Sequence, residues 1–202
     1  MTKNEREITL GLLNAVNDNH RVTQRSVAKE LGVALGLINA YLKRCIKKGY
    51  IKVRMAPANR YAYYLTPAGF AEKSRLTAEY LSQSFNFFRR ARKECSKILA
   101  HCVGQGWRRV ALAGASDLGE IVVLCAGEHD LTLAGFADPG ADGEAFLGYP
   151  VVADVDALGP VDAVIVTDLQ APQETFERLS ARMPAGRVLS PPLLGVARTD
   201  AG

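Results

Sequence analysis

Histidine, tryptophan and cysteine are scarce in this 202-residue chain, with three, one and four copies. Each scarcity removes a class of function. The histidines are scattered, and Cys45, Cys95, Cys102 and Cys125 form no CxxC pair, so no zinc site is expected. Four sparse thiols suit a reducing cytoplasm. No run of 18 or more apolar residues occurs, and the polar start Met1-Thr-Lys-Asn-Glu-Arg-Glu7 does not read as a signal peptide, so neither a membrane span nor export is expected. Catalytic signatures are also missing. Residues 104–202 hold no Y-x-x-x-K pair and no hexapeptide repeats. His129 is a lone histidine in a loop, and Glu120 at a helix start is better explained by the helix dipole. With no nucleophile or general base in a recognisable setting, the chain is not expected to be an enzyme.

What is present is a division of charge. Residues 1–103 carry 19 Lys and Arg against 7 Asp and Glu, a net +12. Residues 104–202 carry 6 against 14, a net −8, so the overall +4 conceals two opposite halves. The basic half is the candidate nucleic-acid binder.

Within it, Ile8, Leu12, Leu13 and Val16 stand at helical spacing over Glu5–Asn17. Thr23 occupies an N-cap position before "QRSVAKEL", and Gly32 breaks that helix ahead of "VALGLINAYLKRCIKKG". Two short helices about a tight glycine turn make a helix-turn-helix. Val33, Ile38, Leu42 and Cys45 or Ile46 are expected inside. Thr23 and Gln24 then open the first helix, while Gly36, Leu37, Asn39, Ala40, Lys43, Arg44 and Lys47 line the face of the second, which would enter a major groove. Asn39 is the base-reading candidate because its amide can bond adenine bidentately. Lys43, Arg44 and Lys47 are candidates for phosphate contacts. Two β-rich runs, Tyr50–Arg54 and Tyr61–Leu65, flank a Pro/Asn loop and read as a wing carrying Lys52, Arg54 and Arg60.

Thr66-Pro67 starts a helix with no breaker but Gly69 before Gly104. Along it Leu81, Ser84, Phe88, Ala91, Cys95, Ile98 and Cys102 follow steps of three and four, a heptad seam that predicts dimerisation through residues 66–103. Cys95 on that seam would face its dimer mate.

The stretches "TQRSVAKELGVALGLINAYLKRCIKKGYIKVR" and "YAYYLTPAGFAEKSRLTAEYL" resemble the MarR-type winged-helix regulators associated with bacterial exopolysaccharide loci, over about residues 5–82. The resemblance implies operator binding by a twofold protein. Two features depart from it. Ala34 replaces a hydroxyl capping residue, and "SFNFFRRARKECSKIL" replaces the family's acidic-tyrosine helix.

In the acidic half, Arg109–Ala113 reads as a buried strand entering the turn Gly114-Ala-Ser-Asp-Leu-Gly119 and a helix through Cys125. Further strands are expected at Leu131–Ala137, Tyr149–Ala153, 161–168 and Arg187–Leu189, with a helix over Pro172–Met183. The alternation predicts a Rossmann-like parallel sheet. Gly114 and Gly119 satisfy two of the three glycines of a dinucleotide fingerprint. Ser116 replaces the third and offers a hydroxyl to phosphate. Asp138, at the end of the second strand, stands where a ribose-binding acid belongs. Gly114, Ala115, Ser116, Asp117, Leu118, Gly119 and Asp138 are therefore the candidate ligand site. "VALAGASDLGEIVV", "LAGFADPG", "FLGYPVVADVDAL" and "DAVIVTD", within about 109–168, resemble the nucleotide-sugar-binding domains of bacterial sugar O-acyltransferases and nucleotide-sugar dehydratases, except that Pro139 follows Asp138 where a second acid is usual.

The expected protein is thus an α/β two-domain regulator. Residues 1–65 form a winged helix-turn-helix, 66–103 a long dimerisation helix and 104–202 a Rossmann-like sensor. Its partners would be double-stranded DNA, a nucleotide or nucleotide-sugar, and a second copy of itself, with no membrane. Alternatives are a sensor of NAD(H) or thiol redox state, and a non-catalytic scaffold for a biosynthetic enzyme.

Overall fold

The computed structural model describes residues 3–197 except 57–59, 141–142 and 144, with the side chains of Lys3, Ala56 and Arg60 also outside the description. The chain divides into two compact units, Met1–Phe85 and Asn86–Gly202, and the division falls inside one long helix.

The first unit holds α1 (Lys3–Asp18), α2 (Gln24–Glu30), α3 (Leu35–Lys47), β1 (Ile51–Ala56), β2 (Arg60–Leu65) and the start of α4 (Pro67–Gly104). The apolar stripe of α1 is buried at Ile8, Leu12, Leu13 and Val16 against Val27 of α2 and Ile38, Leu42 and Cys45 of α3. β1 and β2 pair antiparallel, with Ile51 opposite Leu65 and Met55 opposite Tyr61. The Tyr63 amide donates to the His20 carbonyl at 2.9 Å, so the α1–α2 connector runs beside the hairpin. Thr66 caps α4 by accepting the Gly69 amide at 3.0 Å, while its hydroxyl donates to the Gly49 carbonyl at 2.5 Å. A Cβ on Gly69 would run into the Tyr50 carbonyl, which explains a glycine inside an otherwise unbroken helix of 38 residues.

The second unit is a five-stranded, all-parallel sheet in the order β5-β4-β3-β6-β7. Its strands are β3 (Arg109–Ala113), β4 (Thr132–Ala137), β5 (Val151–Val152), β6 (Ala163–Val166) and β7 (Val188–Leu189), with α5 (Asp117–Ala126) and α6 (Pro172–Ser180). The outer strands and α6 are shorter than their apolar runs predict. The β5–β6 crossover is a single 3-10 turn, Val155–Leu158. On one face Ala111, Ala113, Ala134 and Ala137 meet that turn and Leu179 of α6. On the other, Val110, Leu112, Phe136 and Ile165 pack under Leu118, Val122 and Cys125 of α5 and Ala91, Cys95, Leu99 and Cys102 of α4.

That packing corrects the expected heptad seam. Ala91, Cys95 and Cys102 are fully buried in the core of their own unit, so Cys95 is not presented to a dimer mate. Helical periodicity reports that a face is covered, not by what. Only the earlier seam positions Leu81, Ser84 and Phe88 remain exposed. Among the described residues, no helix is long and apolar enough to cross a membrane.

Candidate nucleic-acid interface and ligand cradle

The helix-turn-helix is set by local hydrogen bonding. The Thr23 hydroxyl accepts the Ser26 amide at 3.0 Å, and the Ser26 hydroxyl oxygen accepts the Thr23 amide at 3.1 Å, a reciprocal capping box. Gln24 is half-buried at the first position of α2. Gly32 takes the left-handed conformation, φ 62°, that the turn requires. Ala34 caps α3 with no side-chain hydrogen bond.

Ile38, Tyr41, Leu42 and Cys45 bury one side of α3. Of the two alternatives Cys45 and Ile46, Cys45 is inside and Ile46 is 37% exposed, while Tyr41, not expected inside, is buried. At about 100° per residue, the line opposite this core is Gly36, Ala40, Lys43 and Lys47, all exposed. Leu37, 39% exposed, and Arg44 flank it on one side, and Asn39 on the other. Asn39 does not present both ends of its amide, as bidentate bonding to adenine requires. It is half-buried, and its Oδ1 is turned inward with no hydrogen-bond partner among the described residues. Arg44 is also committed, its guanidinium 3.1 Å from Glu5 and 5.2 Å from the Tyr41 ring centroid.

On the wing Lys52 and Arg54 are exposed, with the Arg54 guanidinium carbon 5.9 Å from the Tyr64 ring. Arg60 opens β2, but its side chain lies outside the described residues. The charge-based reading overlooked the opposed pair Met55 and Tyr61, exposed at 73% and 58% near the wing tip. Apolar side chains of this kind can wedge into a minor groove.

The cradle of the second unit lies at the carboxyl ends of β3, β4 and β6. Gly114 has φ 109°, and a Cβ there would collide with the Asp168 backbone; one on Gly119 would collide with the Phe136 ring. These glycines serve close packing of backbone and helix. Asp138 lies beside the turn, where its Oδ2 accepts the Ala115 amide at 2.9 Å and its Oδ1 accepts the Gly140 amide at 3.0 Å. Ser116 departs from the sequence reading. Its hydroxyl donates to the Thr167 carbonyl at 2.6 Å and accepts the Gly119 amide at 3.3 Å, so it caps α5 rather than facing a phosphate. Asp117 and the buried Leu118 are the first residues of α5.

Two residues that sequence reasoning missed complete the cradle. The Thr167 hydroxyl donates to the carbonyl of Gly114 at 2.6 Å. Asp168 accepts the amides of Gln170 and Ala171 at 2.7 and 3.2 Å, and the Thr175 hydroxyl at 2.8 Å. Burial works to raise the Asp168 pKa, but the Thr175 hydroxyl, the two amides and the charge of Arg178 together hold it below the usual value. The signal for both residues was an apolar strand ending in Thr-Asp.

All four cysteines are free and buried. Burial pushes Cys95 up to about 12 and Cys45 and Cys102 to about 11, and it raises Cys125 as well. His129 is not idle structurally, since its Nε2 lies 3.0 Å from the Ser96 hydroxyl. Among the described residues no cluster of His, Cys, Asp and Glu could hold a metal ion.

Residues 5–52 match the family model for winged helix-turn-helix DNA-binding domains, which covers the three-helix core and the start of the wing. No curated protein sequence matches the chain. Among solved structures, the chain is similar to the PcaV transcriptional regulator from Streptomyces coelicolor in complex with its natural ligand, at 21% identity and TM-score 0.38 over 44% of this chain and 62% of that one. It is similar to Staphylococcus aureus MepR in its DNA complex at 22% identity and TM-score 0.37, over 43% of this chain and 62% of that one. This chain thus spans just over three fifths of each regulator's length. PigF with SAH aligns over 93% of this chain and 72% of its own, at 14% identity and TM-score 0.34.

Proposed function

We propose that this protein is a DNA-binding transcriptional regulator whose second unit senses a nucleotide or nucleotide-sugar. The observation that carries the reading is the outward line of α3, where Lys43 and Lys47 follow Gly36 and Ala40 on a winged helix-turn-helix. Thr23 and Gln24 at the start of α2, Leu37, Asn39 and Arg44 beside the line, and Lys52, Arg54 and Arg60 on the wing complete the proposed DNA surface. The strand order supports a ligand at the switch point between β3 and β6. There Gly114 to Gly119 form the turn, and Asp138, held by the Ala115 and Gly140 amides, is the acid proposed to accept from ribose hydroxyls through its remaining lone pairs. Control of polysaccharide synthesis follows from the sequence resemblance.

Dimerisation, first placed along all of residues 66–103, is proposed for the exposed part of α4. Tyr80, Leu81, Phe85, Phe87 and Phe88 put large apolar side chains in water on one broad arc of the helix. Apart from Phe85 these positions lie three and four residues either side of Ser84, so the pattern is its own complement when two helices cross antiparallel there.

The test is a melting panel on the full-length protein with UDP-, GDP- and CMP-sugars, NAD⁺ and NADH near 1 mM, alongside sedimentation and duplex binding. A ligand at 100 times its Kd stabilises by about 2.7 kcal/mol. The reading predicts a nucleotide-sugar shift that Asp138→Ala removes, a dimer in sedimentation, and duplex binding that weakens steeply with salt. An NADH-selective shift would replace the ligand. Absence of duplex binding would sink the regulator in favour of a scaffold.

A further inference from the structure

The recognition helix of this protein offers an unusual surface to base edges. Readout is carried by the N-terminal turns of such a helix. Here those turns present Gly36, Leu37 and Ala40, with Leu35 beside them 41% exposed, and no side chain in that set can form a hydrogen bond. The one amide nearby, Asn39, points its Oδ1 into the protein. The cations Lys43 and Lys47 come later along the helix, where contacts to phosphate would position it without reading sequence.

An apolar surface in a major groove has one specific partner, the C5-methyl group of thymine. Glycine and alanine at the outermost positions also let the helix backbone approach the groove floor, which brings Leu37 on the flank within reach. Leaving Leu37 in water gives nothing, whereas burying it against a methyl group recovers apolar contact.

Resting on the DNA-reading role proposed above, we infer that Leu37 and Ala40 are the specificity-determining residues and that they select thymine methyl groups in each half-site. Hydrogen-bond readout of adenine by Asn39 is not the basis of choice. The preferred operator carries thymines beneath α3.

The experiment uses full-length protein and a duplex enriched from a random library, resynthesised with deoxyuridine in place of thymine one position at a time. The two bases pair alike and differ by one methyl group. Wild-type protein should lose about fourfold in affinity at one or two positions per half-site, the worth of one buried methyl. Leu37→Ala, a change at an exposed position, should bind the thymine and uracil duplexes equally at the position it reads, and Ala40→Gly at its own. Asn39→Ala, a change on the proposed DNA surface that can lower affinity for both duplexes, should leave the ratio between thymine and uracil duplexes as in the wild type. Uniform indifference of the wild type to uracil overturns the inference while leaving DNA binding intact, as does discrimination that survives both Leu37→Ala and Ala40→Gly. If no duplex is enriched or bound, the DNA-reading role itself fails and the inference with it.

Discussion

The guanidinium of Arg44 lies 3.1 Å from the carboxylate of Glu5, tying the outer flank of α3 to the first turns of α1. Arg44 therefore has its charge already met in part by a carboxylate, whereas Lys43 and Lys47 have no ion pair among the described residues. Each cation that neutralises a phosphate steepens the salt dependence of binding by about 0.9 in log–log slope. Lys43→Ala and Lys47→Ala should each flatten the slope by about that amount, and Arg44→Ala by much less. Glu5→Gln should steepen it by releasing Arg44. Anisotropy titrations between low and physiological salt measure all four, and an Arg44→Ala effect equal to that of Lys43→Ala would refute the tie.

Burial of all four thiols predicts silence toward oxidants. With Cys95 pushed up to about 12, Cys45 and Cys102 to about 11, and Cys125 raised as well, burial disfavours the thiolate at every cysteine. A colorimetric thiol assay should show no fast reaction until denaturant is added, then four equivalents. Diamide should leave DNA affinity unchanged. A fast native equivalent would revive a thiol-sensing role.

Acid should loosen the second unit. Hydrogen bonds from Arg182 and the Asp156 amide hold the Asp154 carboxyl below its ordinary value, the amides of Arg109 and Arg108 do the same for Asp162, and Asp168 is also held down, against its burial, by Thr175 and two amides. A carboxyl with a depressed folded pKa binds fewer protons folded than unfolded. Its stabilisation is complete above the unfolded pKa near ~4 and drains away as pH falls through the folded value. Melting temperature should hold from pH 7 to about 5 and drop below about 4. Asp168→Asn should flatten the drop and lower the plateau; an unchanged acid limb would disprove the contribution.

The helix-turn-helix was legible because its determinants are local. Ile8, Leu12, Leu13 and Val16 announce a stripe, and Thr23 announces a cap three residues before Ser26. Tyr41 escaped because a tyrosine at helical spacing reads as polar until Leu42 and Cys45 are seen to share its side. The second unit was harder for a reason of distance. Thr167 and Asp168 matter only because β6 pairs with β3 across more than fifty residues, bringing them to Gly114. The tail of the α4 seam was misassigned because Ala91, Cys95 and Cys102 show the same spacing whether covered by a partner or by Val110 and Val122. Ser116 was read as a free hydroxyl because nothing local announces the Thr167 carbonyl that accepts it.

A helix shared by two compact units carries a consequence for inheritance. Domains joined by loose linkers tolerate small insertions and deletions at the joint, and recombination can exchange them freely. Here the joint is helix on both sides, with residues 81–90 exposed all round. Removing a single residue from an α-helix turns the faces that follow by about 100° relative to those before and shortens it by about 1.5 Å. The face that α4 presents along this stretch is thus best kept by changes of seven residues, which leave it only about 20° out of phase, whereas three or four leave it about 60° or 40° out.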